Sequence, residues 1–396
     1  MTLPPPSLID AALDAAASDA ALGASRVLFH DWVEPLGDAF TAEGVQTYVH
    51  GFAPIIARAL PGCDAGFLID RYRRIRSPRP FDRGTADVTD VVVLSRVTLG
   101  ADVAVSSVLI DAARRAFPHA SLYFAGNAKN AELFLGEPRL RHIAAPYART
   151  GALCHRLEAS AALATLLPPG ALVLDPDSRL SQLGLIPVCD DARYLFFESR
   201  TAGASTAATL PQLAVQWCRD ILGVDARPWT APLSGIGGPP RVCVSLGTGE
   251  NPDKGLGHEF EAELVRRLAA TGQPLLIDKG AGGEEGDRVE AAIAAATAAS
   301  AHTAHPVRPG QIQTWLGPFS PFAFEIARAP LYAGYDSAGQ HVAAAAGTPL
   351  LCLFAGAPCD RFFDRWRPSG NGTCLIARHS PGGDWRAALD ALGLAE

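Results

Sequence analysis

Residues 335–354 read YDSAGQHVAAAAGTPLLCLF. A mostly apolar approach, Ala329 to Ala333, leads to Asp336 and Ser337. Ala338 and Gly339 permit a tight turn, His341 opens an Ala-rich helical run that Gly347 and Pro349 close, and Leu350 to Phe354 is an apolar strand. This is a strand–turn–helix–strand unit, the building block of a parallel α/β sheet. Its turn gathers Asp336, Ser337, backbone N–H groups and His341 at a helix N-terminus. Such a terminus carries about half a positive charge and unsatisfied donors, so it suits a phosphate. Asp and Ser are also ordinary N-cap residues, and the same letters describe a capped helix with no ligand. Both readings stand at this point.

The same alternation extends outward in both directions. DVVVLS (90–95) is a buried strand, RVTLGAD (96–102) a polar loop, Val103 to Phe117 a helix stopped by Pro118, and SLYFA (121–125) the next strand. This βαβ pattern predicts a parallel sheet with right-handed crossovers. Further strands follow at 171–174 and 194–197, with a dense polar loop, DPDSRLSQ (175–182), between them and a helix at 212–222. A Pro- and Gly-rich stretch, 228–240, separates this series from a second one. The second series has strands at 241–245 and 275–278, helices at 259–270, 288–301 and 321–327, the opening stretch, and a helix at 385–394. Residues 1–85 differ: they are helical, with Ala-rich and apolar runs and one basic segment, DRYRRIRSPRP (70–80). That segment reads either as a solvated helix end or as a patch for an anionic ligand or lipid headgroup. The expected organisation is a helical region 1–85, one Rossmann-like domain over 86–230 and another over 231–396. Ligands in such sheets bind at the C-terminal ends of the strands, and a cleft between two such domains is the default active site.

Composition narrows the class. The 396 residues are 48% apolar and 19% charged, as in a globular protein with a substantial core. A net charge of −7 and a pI near 5.8 argue against a nucleic-acid partner, which calls for a basic face. The eight cysteines form no CxxC pair, so no zinc or thioredoxin-like site is expected, and a reducing cytoplasm is the simplest compartment. The N-terminus lacks the basic and apolar regions of a signal peptide, and no apolar run approaches the ~20 residues of a transmembrane helix.

Three loops hold groups that carry chemistry. Gly247 to Gly257 contains Thr248, Asn251 and Lys254; it matches neither GxxxxGK[ST] nor GxGxxG, yet a backbone-lined loop with one Lys and one Thr suits a diphosphate. Asp102 follows the first strand, where a carboxylate serves as a general base or as the cap of the next helix. Asp175, Asp177, Ser178, Arg179 and Gln182 follow another strand, and either pair with a polyhydroxylated ligand or build a turn. No GxSxG elbow and no HxxxH spacing is present, so neither a Ser–His–Asp hydrolase nor a metal site is expected.

Taken together, three stretches resemble the ADP-heptose:lipopolysaccharide heptosyltransferases, glycosyltransferase family 9. VVVLSRVTLGADVAVSSVLIDAARRAFPHASL (91–122) resembles the family's opening strand, its loop ending in Gly-Asp and its helix. Leu246 to Lys254 resembles the loop with a Thr and a downstream Lys, and 335–354 resembles Asp-Ser/Thr-Gly-x-x-His with its Ala-rich helix and Thr-Pro strand. The likeness spans about residues 88–396. It departs at Ala101, inserted between Gly100 and Asp102; at Ala338, where the family has Gly; and at Gly282, where the family often has an acid that Glu284 or Glu285 would replace.

The resemblance implies an α/β fold of two Rossmann-like doubly wound domains facing a cleft (GT-B) and an inverting transfer from a nucleotide-diphosphate sugar, ADP-heptose, to an acceptor hydroxyl. It implies Asp102 as base. Thr248, Lys254, Glu284, Asp336, Ser337, Ala338, Gly339 and His341 would hold the donor, and Arg96, Asp177, Arg179 and Gln182 the acceptor. The implied partners are the donor and a glycan, glycolipid or protein acceptor; no cofactor and no metal is implied. The implied location is cytoplasmic, with peripheral contact at the inner membrane. Another nucleotide sugar, or a catalytically silent binding or assembly protein, are the alternatives.

Overall fold

The computed structural model describes residues 4–14, 19–82, 87–147, 151–248, 254–379 and 384–391. The middle of the Gly-rich loop, 249–253 with Asn251, lies outside them. The chain divides into two compact units, the first comprising residues 1–131, 137–227 and 359–365, the second 132–136, 228–358 and 366–396.

In the first unit, strands β1 (Asp90–Leu94), β2 (Ser121–Gly126), β3 (Leu140–Ala144), β4 (Leu172–Asp175) and β5 (Tyr194–Phe196) form one sheet in the order β3-β2-β1-β4-β5. Every pairing is parallel; Val92 lies opposite Tyr123 on one side and Val173 on the other. The run Val91–Leu94 is apolar at every position because both faces of β1 are covered. The helix after β1 starts earlier than its apolar spacing predicts. It is continuous from Leu99 to Ala116, with a π-helical stretch at Asp102–Ser106. Asp102 therefore does not cap this helix; it lies inside the first two turns.

The β4–β5 connection holds only short 3₁₀ turns, Arg179–Ser181 and Asp191–Arg193. Helices between residues 4 and 82 supply apolar cover in this unit. Phe29, Trp32, Tyr48 and Phe52 share one core with Val92, Leu94, Val173, Tyr194 and Phe196. Tyr48 and Phe52 stack with ring centroids 5.1 Å apart. Each such aromatic, buried, contributes about 2–3 kcal/mol. The basic segment begins in the helix Ala65–Ile75, and its arginines up to Arg76 are matched by acids. Arg71, 1% exposed, pairs with Asp191 at 2.6 Å, Arg73 with Asp70, Arg74 with Asp191, and Arg76 with Glu198. The segment 359–365 closes the unit. The guanidinium of Arg365, fully buried, donates to the carbonyls of Ala202, Gly203, Thr206 and Ala208.

The second unit holds β6 (Val242–Ser245), β7 (Leu275–Asp278), β8 (Ile312–Trp315), β9 (Tyr332–Tyr335), β10 (Leu350–Phe354) and β11 (Cys374–Arg378). They form a parallel sheet, β8-β7-β6-β9-β10-β11, the 3-2-1-4-5-6 order of dinucleotide-binding folds. Its core joins Val244, Leu264, Ile277, Val289, Ala333 and Leu351. The helix of the opening stretch runs Ala338–Ala346 and ends at Gly347, whose φ of +77° provides the left-handed cap. No described helix is long and apolar enough to cross a membrane.

Candidate functional site

Each sheet reverses its strand order once, between β1 and β4 in the first unit and between β6 and β9 in the second. Loops leaving the C-terminal ends of such a strand pair diverge and leave a crevice, the usual ligand position in this topology. Most residues singled out in the sequence fall at these two points; Glu284 lies after β7, Gln182 turns into the interior, and Asn251 is outside the described residues.

At the second crevice the loop after β6 meets the turn after β9. Lys254 Nζ lies 2.8 Å from Asp336 Oδ2 and 3.2 Å from the Asp336 carbonyl. An ammonium has three donors, and Asp336 accounts for two. Asp336 also accepts from Gln340 Nε2 through Oδ1. The pair is neutral and one-fifth exposed on its Lys side. Ser337 occupies the N-cap position of the helix Ala338–Ala346, but its hydroxyl makes no cap; it lies 3.3 Å from the Tyr332 hydroxyl. Among the described residues, no side chain accepts from the first amides of this helix. A Cβ on Gly339 would collide with the Tyr332 hydroxyl, which fixes the close approach of turn and strand. His341 is buried, its ring 6.0 Å from that of Trp366. Burial lowers its pKa to about 4, so it underpins the turn as a neutral imidazole. Thr248 is half-buried beside Gly247.

Glu284 and Glu285 open the helix Gly283–Ser300 after β7, and they point differently. Glu284 is exposed. Glu285 is half-buried, accepts from the Ala281 amide at 3.1 Å, and lies where a Cβ on Gly247 would come within 2.6 Å of it. It is Glu285 that reaches the loop after β6. Sequence spacing does not separate these neighbours; the paired glycines 247 and 280, both lacking a side chain where the carboxylate sits, are the signal that does.

The first crevice is filled by its own side chains. Asp102 is fully buried, and its carboxylate accepts four hydrogen bonds: Ser95 Oγ at 2.6 Å, the Arg96 amide at 2.6 Å, Ser106 Oγ at 2.6 Å and Asn130 Nδ2 at 2.5 Å. Burial raises its pKa and these donors oppose the rise. Arg96 Nη1 donates to the Pro176 carbonyl and to Ser199 Oγ. Ser199 and Arg200 in turn donate to Asp177 Oδ2 at 2.9 and 3.1 Å. Asp177 holds a positive φ of 67°, and Arg200 is 3% exposed. Asp102, Arg96 and Asp177 therefore form one connected network. Arg179 is half-buried nearby, whereas Gln182 turns inward, its side-chain amide donating to Ser160 Oγ at 3.0 Å and its backbone carbonyl accepting from the Tyr48 hydroxyl. Asp175, at the end of β4, accepts from Ser181, Tyr194 and the Ser178 amide, and burial raises its pKa to about 6. Arg200 and Tyr48 were not among the residues the sequence singled out; Tyr48 lies in the N-terminal helices, far away in the chain. No cluster of three or more His, Cys, Asp or Glu placed to hold a metal occurs among the described residues.

No protein-family profile and no curated protein matches the sequence. Solved structures do. The glycosyl transferase family 9 protein of Veillonella parvula superposes with a TM-score of 0.52 and 14% identity, covering 74% of this chain and 86% of that one. The E. coli ADP-heptose LPS heptosyltransferase II superposes with a TM-score of 0.50 and 18% identity, covering 76% and 98%. These are likenesses of fold, and the fold is GT-B, two Rossmann-like α/β units.

Proposed function

We propose that the chain is a glycosyltransferase of the family 9 kind. It transfers a sugar, heptose from ADP-heptose, to an acceptor hydroxyl on a glycan, glycolipid or protein, with inversion at the transferred carbon. The observation that carries this reading is the second crevice: a helix N-terminus that its own N-cap Ser337 leaves uncapped, at the strand-order reversal, with Lys254 laid across its turn. A diphosphate there meets backbone donors, the positive helix end and an ammonium. Those same groups stabilise the charge that grows on the leaving nucleotide diphosphate, where fixed donors help most. Glu285, at the β6 and β7 loops, is a natural acceptor for sugar or ribose hydroxyls. The reading needs no metal, because lysine and helix dipole supply the positive charge.

Asp102 enters as the group for the acceptor proton. A general base must reach that proton, and this carboxylate already holds four donors with no exposed surface. That observation favours a second reading: a catalytically silent member that binds a nucleotide sugar, with Asp102 fixing the turn after β1. One experiment separates them. Titrate the protein and Lys254→Ala with ADP-heptose, UDP-glucose and GDP-mannose by calorimetry, and measure donor hydrolysis for the protein and Asp102→Asn. Selective binding of ADP-heptose, weakened in Lys254→Ala, together with hydrolysis abolished in Asp102→Asn, is the result expected of the transferase. Binding without hydrolysis selects the silent member, and selective binding of another nucleotide sugar changes the donor.

A further inference from the structure

The loop after β6 is tied down at both ends through one buried acid. Its first residue, Leu246, gives its carbonyl to Arg288 Nη2 at 2.6 Å. Near its far end, the Leu256 amide donates to the Tyr335 hydroxyl at 3.0 Å. Both partners lead to Glu261, in the first turn of the helix His258–Ala270. Tyr335 donates its proton to Glu261 Oε1 at 3.2 Å, and Arg288 Nε faces Glu261 Oε2 at 3.6 Å. Glu261 is fully buried and Tyr335 is 1% exposed. A phenol has one proton. Glu261 takes it, so the lone pairs of Tyr335 remain turned to Leu256. On the other side the carboxylate charge holds the guanidinium whose other nitrogen grips Leu246. Between the two anchors, two residues before Leu256, stands Lys254 with its bond to Asp336.

We infer that Glu261 is a positioning residue for nucleotide binding: it clamps both ends of the loop after β6 through Tyr335 and Arg288, and so sets where Lys254 meets the diphosphate. This inference rests on the donor reading above. A carboxylate is suited to the task because one oxygen accepts from Tyr335 while the other turns its charge toward Arg288. Tyr335 belongs to the strand leading into Asp336, so the clamp also registers the lysine loop against the turn it faces.

The test uses the full chain, with ADP as probe and amide hydrogen exchange as a readout that needs no ligand. Glu261→Gln and Tyr335→Phe are expected to weaken ADP binding about tenfold and to speed exchange at 254–257 by a similar factor, since the first removes the charge that faces Arg288 and the second strips the Leu256 amide of its acceptor. The Phe ring of the second variant keeps its packing on Phe260, 5.6 Å away in the native pair. Leu268→Val, trimming the buried core face of the same helix, should lower the melting temperature without changing ADP affinity. That separates positioning from general loosening. Native-like ADP affinity in both clamp variants overturns the inference. If the unaltered protein binds none of ADP, UDP and GDP, the donor reading falls, and exchange alone judges the clamp: unchanged rates at 254–257 refute it, faster rates uphold it.

Discussion

The two crevices stand at equivalent points in sheets that share the order 3-2-1-4-5, yet in one the carboxylates are buried among side-chain donors and in the other a lysine stays partly exposed. After β1 and β4, three carboxylates are interior groups whose donors are Ser, Asn, Tyr and Arg side chains and backbone amides. After β6 and β9, no side chain among the described residues caps the helix amides, and Lys254 is partly exposed. Topology alone therefore does not make a binding site. It makes a place where backbone groups diverge, and side chains decide whether that place is satisfied from within or waits for a ligand. The first crevice should answer to mutation in stability, the second in affinity.

Four measurements press on this contrast. The largest effect is expected from Phe52→Ala, which removes an aromatic that the N-terminal helices bury in the first unit's core. It should cost about 3–5 kcal/mol in urea unfolding; a loss below about 1 kcal/mol would mean that those helices are not part of this interior. Next is the pH dependence carried by Asp175. Its pKa rises from 3.8 to about 6 on folding, so its contribution is complete below the unfolded value and is lost as pH rises through about 6. The penalty approaches about 3 kcal/mol above that window, and Asp175→Asn should flatten the stability profile between these limits. His341 has the opposite sign. Its pKa falls to about 4, so its contribution is present above 6.5 and is lost as pH falls through about 4. A third test is Ser106→Ala, which takes one donor from buried Asp102 and should cost about 1–3 kcal/mol while leaving nucleotide affinity untouched. Smallest in stability is Lys254→Ala: a partly exposed ion pair contributes about 0–1 kcal/mol, yet nucleotide affinity should drop at least about tenfold. The contrast fails if Lys254→Ala unfolds the protein or Ser106→Ala abolishes binding.

The interior of both sheets was legible because interior strands hold unbroken apolar runs: Val91–Leu94, Val242–Val244, Leu350–Phe354. The strands that escaped, β3, β8 and β11, are edges. Their letters, LRHIA, IQTW and CLIAR, mix polar and apolar because only part of each strand is covered. The helix after β1 was placed late because its first turns carry Gly100 and Asp102, which local preference assigns to loops. Tertiary hydrogen bonds from Ser95 and Asn130 satisfy that aspartate in place. At the site, the chain letters identified Lys254, Asp336 and Ser337 but not that they meet. That follows from β6 and β9 being neighbours in the sheet, with 82 positions between lysine and aspartate. The clamp through Glu261 was invisible for the same reason, since its members lie on three separate elements.

Arg365 carries a consequence for how such a chain is inherited. A fully buried guanidinium from the last tenth of the sequence seals a loop of the first unit by binding four carbonyls. Residues 132–136 in turn belong to the second unit. The gene cannot be cut at the Pro- and Gly-rich linker into two exchangeable cassettes, since a fragment ending at 227 would lack the arginine that completes it. Recombination at that point would part the arginine from the loop it seals and leave an unfinished half.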